Sequence, residues 1–466
     1  MVRLVLVCLL AAVGCSEDGA RGLPTLRFDR TQPFCADTAG ACLQAGANIF
    51  EVRGLNVIHK RVPGEPLAVA SILFDRDGLS ADAKADHAQY LLMRFLSWWG
   101  SQDYYRDWDS QLEHIGATHW SGYASDYVYT GVSVPAANID RAFHLLATTV
   151  LAPPIEFLTD DYLDSIKDGY RQGIEASSDE AAPAADGAGF ALIADQHPYS
   201  LRSQLAELGN VNTGTLSSVR SKLFDRRRAT VVVVGDIERA RVEDLVTHEL
   251  SSLPATADQR PSGSTVPALR AGPERARVVT RERAPNWQIR GYFPTVSALD
   301  EARFAALQLG ARALSQRLFD EVRDELGLTY NVRLDIANCR AAYGTLSLGT
   351  VQPVEAMRSV RENIERMASE GISDEELEGA RATYLTQMLS DTQSAYGLAV
   401  ALGDWALKAG DSALLDSHLS AIRDVSAADA TSEIGSALSE LRYGAAGPGA
   451  PLDEHVLFGE EADAGM

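Results

Sequence analysis

The sequence predicts an α+β protein made of two homologous halves, each an α/β sandwich with helices packed on a sheet. Three observations carry this expectation. A pair of strand-like segments around a proline turn occurs twice, as LNVIHKRVPGEPLAVASILF (55–74, turn at Pro63-Gly64) and ARVVTRERAPNWQIRGYFPT (276–295, turn at Pro285-Asn286). A later strand running into an amphipathic helix also occurs twice. YVYTGVSVP leads into AANIDRAFHLLATTVL, and YGTLSLGTVQP leads into VEAMRSVRENIERMA, each helix with apolar residues at i, i+3, i+4 and i+7. Between the halves, PATADQRPSGSTVPALRAGP (254–273) is polar and broken by Pro and Gly, the composition of a linker. Strands followed by runs of helices favour helices packed on a sheet.

Taken in order, residues 1–15 read as an export signal. MVRLVLVCLLAAVGC has one early Arg, an apolar stretch too short to span a bilayer, and small residues before Cys15. AVGC resembles a bacterial lipobox, which makes Cys15 the lipidated first residue of the mature chain. The alternative is an ordinary cleaved signal with an incidental Cys. Ser16 after the Cys suits the periplasmic side of a bacterial outer membrane, where several acyl chains on one Cys anchor firmly. Residues 16–47 form an N-terminal linker, 48–253 the first domain, 274–442 the second, and 443–466 an acidic tail. Beyond the signal, no segment approaches about 18 uninterrupted apolar residues, so the rest of the chain is expected to be soluble. ISDEEL supplies a capping box, Ser373 with Glu376, for one helix of the second half.

With 466 residues and 46% apolar content, the chain has ample material for substantial cores. A formal net charge of −22 excludes the basic footprint that a nucleic-acid partner requires. Export would place the chain in an oxidising compartment, where Cys35 and Cys42 in CADTAGAC are expected to form a disulfide. Cys339 is left over and reads as a small buried hydrophobe.

Several stretches in order resemble the M16 peptidase family (insulinase, pitrilysin, mitochondrial processing peptidase). GLSADAKADHAQYLLMRFLSWWG (78–100) has the register of the segment carrying that family's H-x-x-E-H. Pairing Gly78 and Asp82 with the family's G-S-x-x-E, and Gly100 with its later Gly, needs no gap. LEHIGATHWSGYASDYVYTGVSV (112–134), DQHPYS, RATVVVVGDIE and SQRLFDEVRDELGLTYNV (315–332) follow in the family's order. The resemblance covers roughly residues 48–442 and implies two M16-type domains forming a half-clamshell.

In that register Leu91 and Phe95 hold the two His ligand positions and Arg94 that of the general-base Glu. Gly173, in GIEASSDEAAP, holds the position of the third ligand. A divalent metal needs lone pairs from imidazole, carboxylate or thiolate, and these four residues offer none. Starting the motif at His87 instead supplies the first His alone. The resemblance therefore implies no metal in this chain. Arg323 and Tyr330, in EVRDELGLTY, match the Arg and Tyr with which the family's second domain holds the substrate backbone and the developing oxyanion, roles that suit a fixed guanidinium and a phenol. Left to ordinary packing, Arg323 would instead pair with Glu321, Asp324 or Glu325, and Tyr330 would be half-buried against the sheet.

Three functional readings follow. The first is a non-catalytic subunit that lends Arg323 and Tyr330 to an H-x-x-E-H partner holding the zinc, around a peptide substrate. The second is a metal-free scaffold or peptide-binding protein. The third is a self-sufficient zinc peptidase with other ligands.

Overall fold

The computed structural model describes residues 47–80, 82–97, 106–152, 155, 158–256, 266–409, 414–450 and 452–459. The expectations for Cys15 and for the Cys35–Cys42 disulfide lie outside the described residues. The first half builds a six-stranded sheet from β1 (Ala47–Val52), β2 (Leu55–Arg61), β3 (Leu67–Asp75), β4 (Thr118–Tyr123), β5 (Tyr127–Pro135) and β6 (Ala229–Gly235), in the order β1-β2-β6-β3-β5-β4. Its helices are α1 (Ala83–Ser97), α2 (Arg106–His114), α3 (Ile139–Leu151), α4 (Asp160–Ser178), α5 (Ala181–Phe190), α6 (Thr213–Leu223) and α7 (Arg239–Glu249).

The second half repeats the plan. β7 (Ala276–Thr280), β8 (Trp287–Pro294), β9 (Val332–Ala337), β10 (Tyr343–Thr350) and β11 (Arg442–Gly447) form a sheet ordered β7-β11-β8-β10-β9. The helices are α8 (Glu301–Leu318), α9 (Pro353–Glu370), α10 (Asp374–Thr392), α11 (Ala395–Ala409), α12 (Leu414–Asp424), α13 (Ala427–Leu438) and α14 (Glu454–Phe458). The Ser373–Glu376 capping box starts α10 as expected. No helix among the described residues is long and apolar enough to cross a membrane.

Strand for strand, β7-β11-β8-β10-β9 has the connectivity of β2-β6-β3-β5-β4. In each half the strands flanking the proline turn do not pair with each other. A late strand enters between them, parallel to the first and antiparallel to the second: β6 between β2 and β3, β11 between β7 and β8. The expected acidic tail is thereby corrected at its start. Residues 442–447 are a central strand, and Leu457 of α14 is fully buried. RYGAAG lacks the β-branched residues that mark a strand, yet its small side chains suit a strand that helices approach closely.

The inner strands β3 and β6 of the first sheet are buried on both faces, which explains the unbroken valines of β6. Val231 and Val233 face one core, beneath the helices of the first half, and Val232 and Val234 face another, shared with the second half. The halves exchange helices to achieve this. α11, from the second half, packs on β3 and β6, and α5, from the first, packs on β7, β8 and β11. Small residues in α5 (AAPAADGAGF) allow the approach. A Cβ added at Gly444 would lie 2.1 Å from the Ala185 carbonyl oxygen and 2.2 Å from the Gly189 nitrogen.

Backbone atoms cannot yield there, so Gly444→Ala is expected to lower the unfolding free energy by about 2–4 kcal/mol in a urea titration. A second expectation concerns pH. Burial lowers both His119 and His418 from 6.5 to about 4. Between those values the unfolded chain binds protons that the folded chain does not, so stability falls as pH drops from 6.5 towards 4. At pH 5 the loss is about 2 kcal/mol per histidine relative to neutral pH. The drop in urea midpoint from pH 7 to pH 5 should be smaller in His418→Asn than in the parent chain.

Candidate functional site

Helix α1 carries the positions that the sequence resemblance aligns with the H-x-x-E-H motif. The Asp82 side chain accepts the Ala85 N–H at 2.7 Å and starts the helix. Leu91 and Phe95 are 1% and 7% exposed and belong to the core of the first half, while Arg94 is on the surface. Gly173 is exposed on α4, and a Cβ there would meet nothing within 4 Å. Nothing in this set can donate a lone pair to zinc. Among the described residues, no three His, Cys, Asp or Glu side chains lie close enough together to hold a metal. His87, one turn before Leu91, is fully buried, with Nε2 3.2 Å from the Gln204 carbonyl and its ring against Tyr170. Burial lowers its pKa, so it stays neutral.

Beside α1 the polar residues form a closed network instead. Arg76 uses all five of its N–H groups. Nε donates to Gln89, Nη1 to the carbonyls of Ala124 (2.8 Å) and Ser125 (2.7 Å), and Nη2 to Ser80 and Asp86. Asp86 also accepts from the Ser80 hydroxyl at 2.9 Å and the Tyr123 hydroxyl at 2.5 Å. The Arg76 guanidinium lies 3.8 Å from the centre of the Tyr123 ring. Burial pushes the Tyr123 phenol well above its usual range, so it remains a donor. One residue earlier, Asp75 receives both ends of Arg340 from the second half, at 2.9 and 2.6 Å. Asp126 joins the same seam, accepting from the Tyr199 hydroxyl at 2.5 Å and the Arg340 N–H at 2.9 Å. A cleft of about 220 Å³ opens along it between Ser80, Tyr199 and Arg340. Apart from Arg340 Nε, these groups satisfy one another, and the network is structural.

The second expected pair behaves differently. After α8 the chain makes a π-helical turn, Phe319–Glu325, in which the Leu326 N–H reaches the Glu321 carbonyl at 2.9 Å. Gly327, at φ +62°, ends the turn in the left-handed region that glycine adopts without strain. Two buried threonines then fasten the loop to β10. Thr329 Oγ1 donates to the Gly349 carbonyl at 2.7 Å, and Thr350 Oγ1 to the Leu328 carbonyl at 2.6 Å. This frame presents Tyr330 at 86% exposure. The Arg323 guanidinium carbon lies 4.3 Å from the centre of the Phe319 ring and 5.3 Å from that of Tyr330.

Arg323 and Tyr330 thus form one surface unit. Packing does not absorb Tyr330, and Glu321 faces Arg366 instead of Arg323. Asp324 is the carboxylate beside Arg323, 3.8 Å from Nε. Leu326, Val351 and Val354 are also exposed. Sequence reasoning passed over Phe319 and Arg366, and weighed Glu321 only as a partner for Arg323. Phe319 stands four residues before Arg323, the spacing at which helical side chains meet. Nothing in the sequence marks Arg366.

The architecture defines a class: two similar α+β domains, the first with Leu91, Arg94 and Phe95 in place of metal donors on α1, the second with an Arg–Tyr unit at its surface. Residues 210–384 match the family described as the peptidase M16 inactive domain. Among solved structures, a peptidase M16 inactive domain from Pseudomonas fluorescens superposes with a TM-score of 0.75 at 18% identity, covering 87% of this chain and 98% of that one. A putative M16-like peptidase from Alicyclobacillus acidocaldarius gives 0.74 at 13% identity, with the same coverage. The periplasmic protease PqqL from Escherichia coli gives 0.69 at 15% identity over 87% of this chain and 48% of that one. No curated protein sequence matches the chain. Residues 210–384 thus match the M16 inactive domain, and the fold of most of the chain is that of M16-like peptidases.

Arg76→Ala would leave Asp86 buried beside an emptied cationic site. A loss of about 3–5 kcal/mol in unfolding free energy is expected, measured by chemical denaturation.

Proposed function

We propose that this chain is the non-catalytic subunit of an M16-type zinc peptidase, completing the active centre of a zinc-bearing partner with Arg323 and Tyr330. The observation that carries the reading is the Arg–Tyr unit itself. A guanidinium and a phenol are held together on a fastened loop, with Tyr330 turned almost wholly to solvent. Such an arrangement suits a peptide backbone and the negative charge that a carbonyl oxygen gains during hydrolysis. The absence of metal donors at Leu91, Arg94, Phe95 and Gly173 supports assigning zinc and the water-activating Glu to another chain. Exposed Leu326, Val351 and Val354 supply apolar surface of the kind that a docked chain covers. In this reading the protein is exported and held at the periplasmic face of a bacterial outer membrane by lipid on Cys15.

The test mixes the purified chain, residues 16–466 with Cys15→Ser, with an M16 homologue that carries H-x-x-E-H. Activity on a fluorogenic peptide library is expected from the mixture and from neither chain alone. Arg323→Ala should lower kcat/KM of the mixture by about 10²–10³, and Tyr330→Phe by on the order of tenfold. If the Arg323→Ala mixture matched the parent mixture, the role in an active centre would be lost. If the parent mixture stayed silent while the chain bound peptides, a metal-free binding protein would replace it.

A further inference from the structure

The π-helical turn bearing Arg323 is pinned to α9 by an ion pair that the functional reading does not use. Glu321 Oε2 lies 2.5 Å from Arg366 Nη2, and Glu321 Oε1 accepts the Ser359 hydroxyl at 3.1 Å. Arg366 Nη2 also donates to Asn363 Oδ1 at 2.6 Å, and Asn363 Nδ2 donates to the Ser359 carbonyl at 2.9 Å. Ser359 and Asn363 are buried, so the clamp is rooted in α9 and does not hang between two free side chains. Val322, between Glu321 and Arg323, is fully buried and serves as the pivot. Residues two apart on a helical turn point to different sides. Holding Glu321 against α9 therefore sets the rotation at which Arg323 leaves the turn towards Phe319 and Tyr330.

The two sides of the clamp are not symmetric. Thr329 and Thr350 fix the loop that carries Tyr330, and they reach the π turn only indirectly, through the Leu328 N–H on the Val322 carbonyl at 2.9 Å. A π turn has one residue more per hydrogen-bonded ring than the α-helix before it, and without outside contacts it can relax into α-helical spacing. That relaxation would rotate Arg323 away from Tyr330. We propose that Glu321 and Arg366 are positioning residues, whose ion pair holds the π turn in the register that keeps Arg323 beside Tyr330. The functional half of this inference rests on the proposed role of Arg323; the geometric half does not.

Two measurements separate them. On the full chain alone, the 15N relaxation of the Arg323 Nε–Hε group reports side-chain order. In the mixture with an H-x-x-E-H homologue, steady-state kinetics report use. The clamp pair is partly exposed, at 44% for Arg366 and 23% for Glu321, so Arg366→Ala should fold and shift the thermal midpoint by only a few degrees. It is expected to lower the Arg323 order parameter, and to reduce kcat of the mixture about tenfold with KM little changed, as a displaced transition-state donor would. Arg366→Lys should recover part of the loss. Glu321→Gln combined with Arg366→Ala should be no worse than Arg366→Ala alone, because both remove one contact. If Arg366→Ala left both the order parameter and kcat unchanged while Arg323→Ala abolished activity, the inference would be overturned. If Arg323→Ala were itself harmless, the subunit reading would fall, and the order parameter alone would decide the positioning claim.

Discussion

The structure depends first on a buried ion pair between its halves. Arg340, between β9 and β10, reaches the end of β3 and holds Asp75 with both ends of its guanidinium, where the two side chains are 4% and 8% exposed. Taking both ions out of water costs several kcal/mol each, and their attraction offsets this only if the remaining donors and acceptors are also met. Here nearly all are. Arg340 donates further to the Leu407 carbonyl on α11, its backbone N–H goes to Asp126, and Asp75 also accepts the Asp77 N–H at 2.7 Å. One residue thus ties together β3, α11 and the turn between β4 and β5. Arg76, next in the chain after Asp75, carries the same logic into the motif helix through Asp86.

Around that seam the halves interlock by exchanging helices. A sheet buried on one face could serve an independent domain; here the inner strands β3, β6 and β11 are covered on both, and part of that cover comes from the other half. β6 shows the consequence in its valines, and β11 shows it in Gly444, where only a glycine lets α5 approach. A polar linker between the repeats does not make them separable when α5 and α11 cross over it. Rigid placement of the second sheet relative to the first follows, and with it a fixed platform for β10 and the loop that it fastens.

Much of this was legible because the repeat is written in strand chemistry. The strands around Pro63 and Pro285, the strand-to-helix passages at Tyr127 and Tyr343, and the Ser373 capping box all form where hydrophobic period and turn residues place them. β11 was not legible. RYGAAG has neither alternation nor β-branched residues, since close helix packing, a tertiary demand, selected its small side chains. The same holds for the site. EVRDELGLTY could be read from its resemblance, and Arg323 and Tyr330 do meet. Arg76, Asp86 and Tyr123 were passed over because 47 residues of chain separate Arg76 from Tyr123 (123 minus 76) and only the sheet brings them together. Arg366 is one of many surface-type residues on an amphipathic helix until Glu321 is seen against it.

Exposure limits what the Arg323–Tyr330 unit can do alone. Near bulk water, a guanidinium about 4 Å from an anion gains only about 1 kcal/mol; when a second surface excludes water the same contact is worth several times more. A phenol that is mostly solvated likewise exchanges a water hydrogen bond for a ligand hydrogen bond at little net gain. The fold nevertheless holds this pair still, with a π turn, a left-handed glycine, two threonine latches and an ion-pair clamp. Ordering side chains in solvent brings little stability to a free chain. It does remove, before any encounter, the conformational cost that an unfastened Arg and Tyr would bear on binding. In the proposed role, preorganisation without enclosure is half of a site, and its chemistry would require a surface that closes over it.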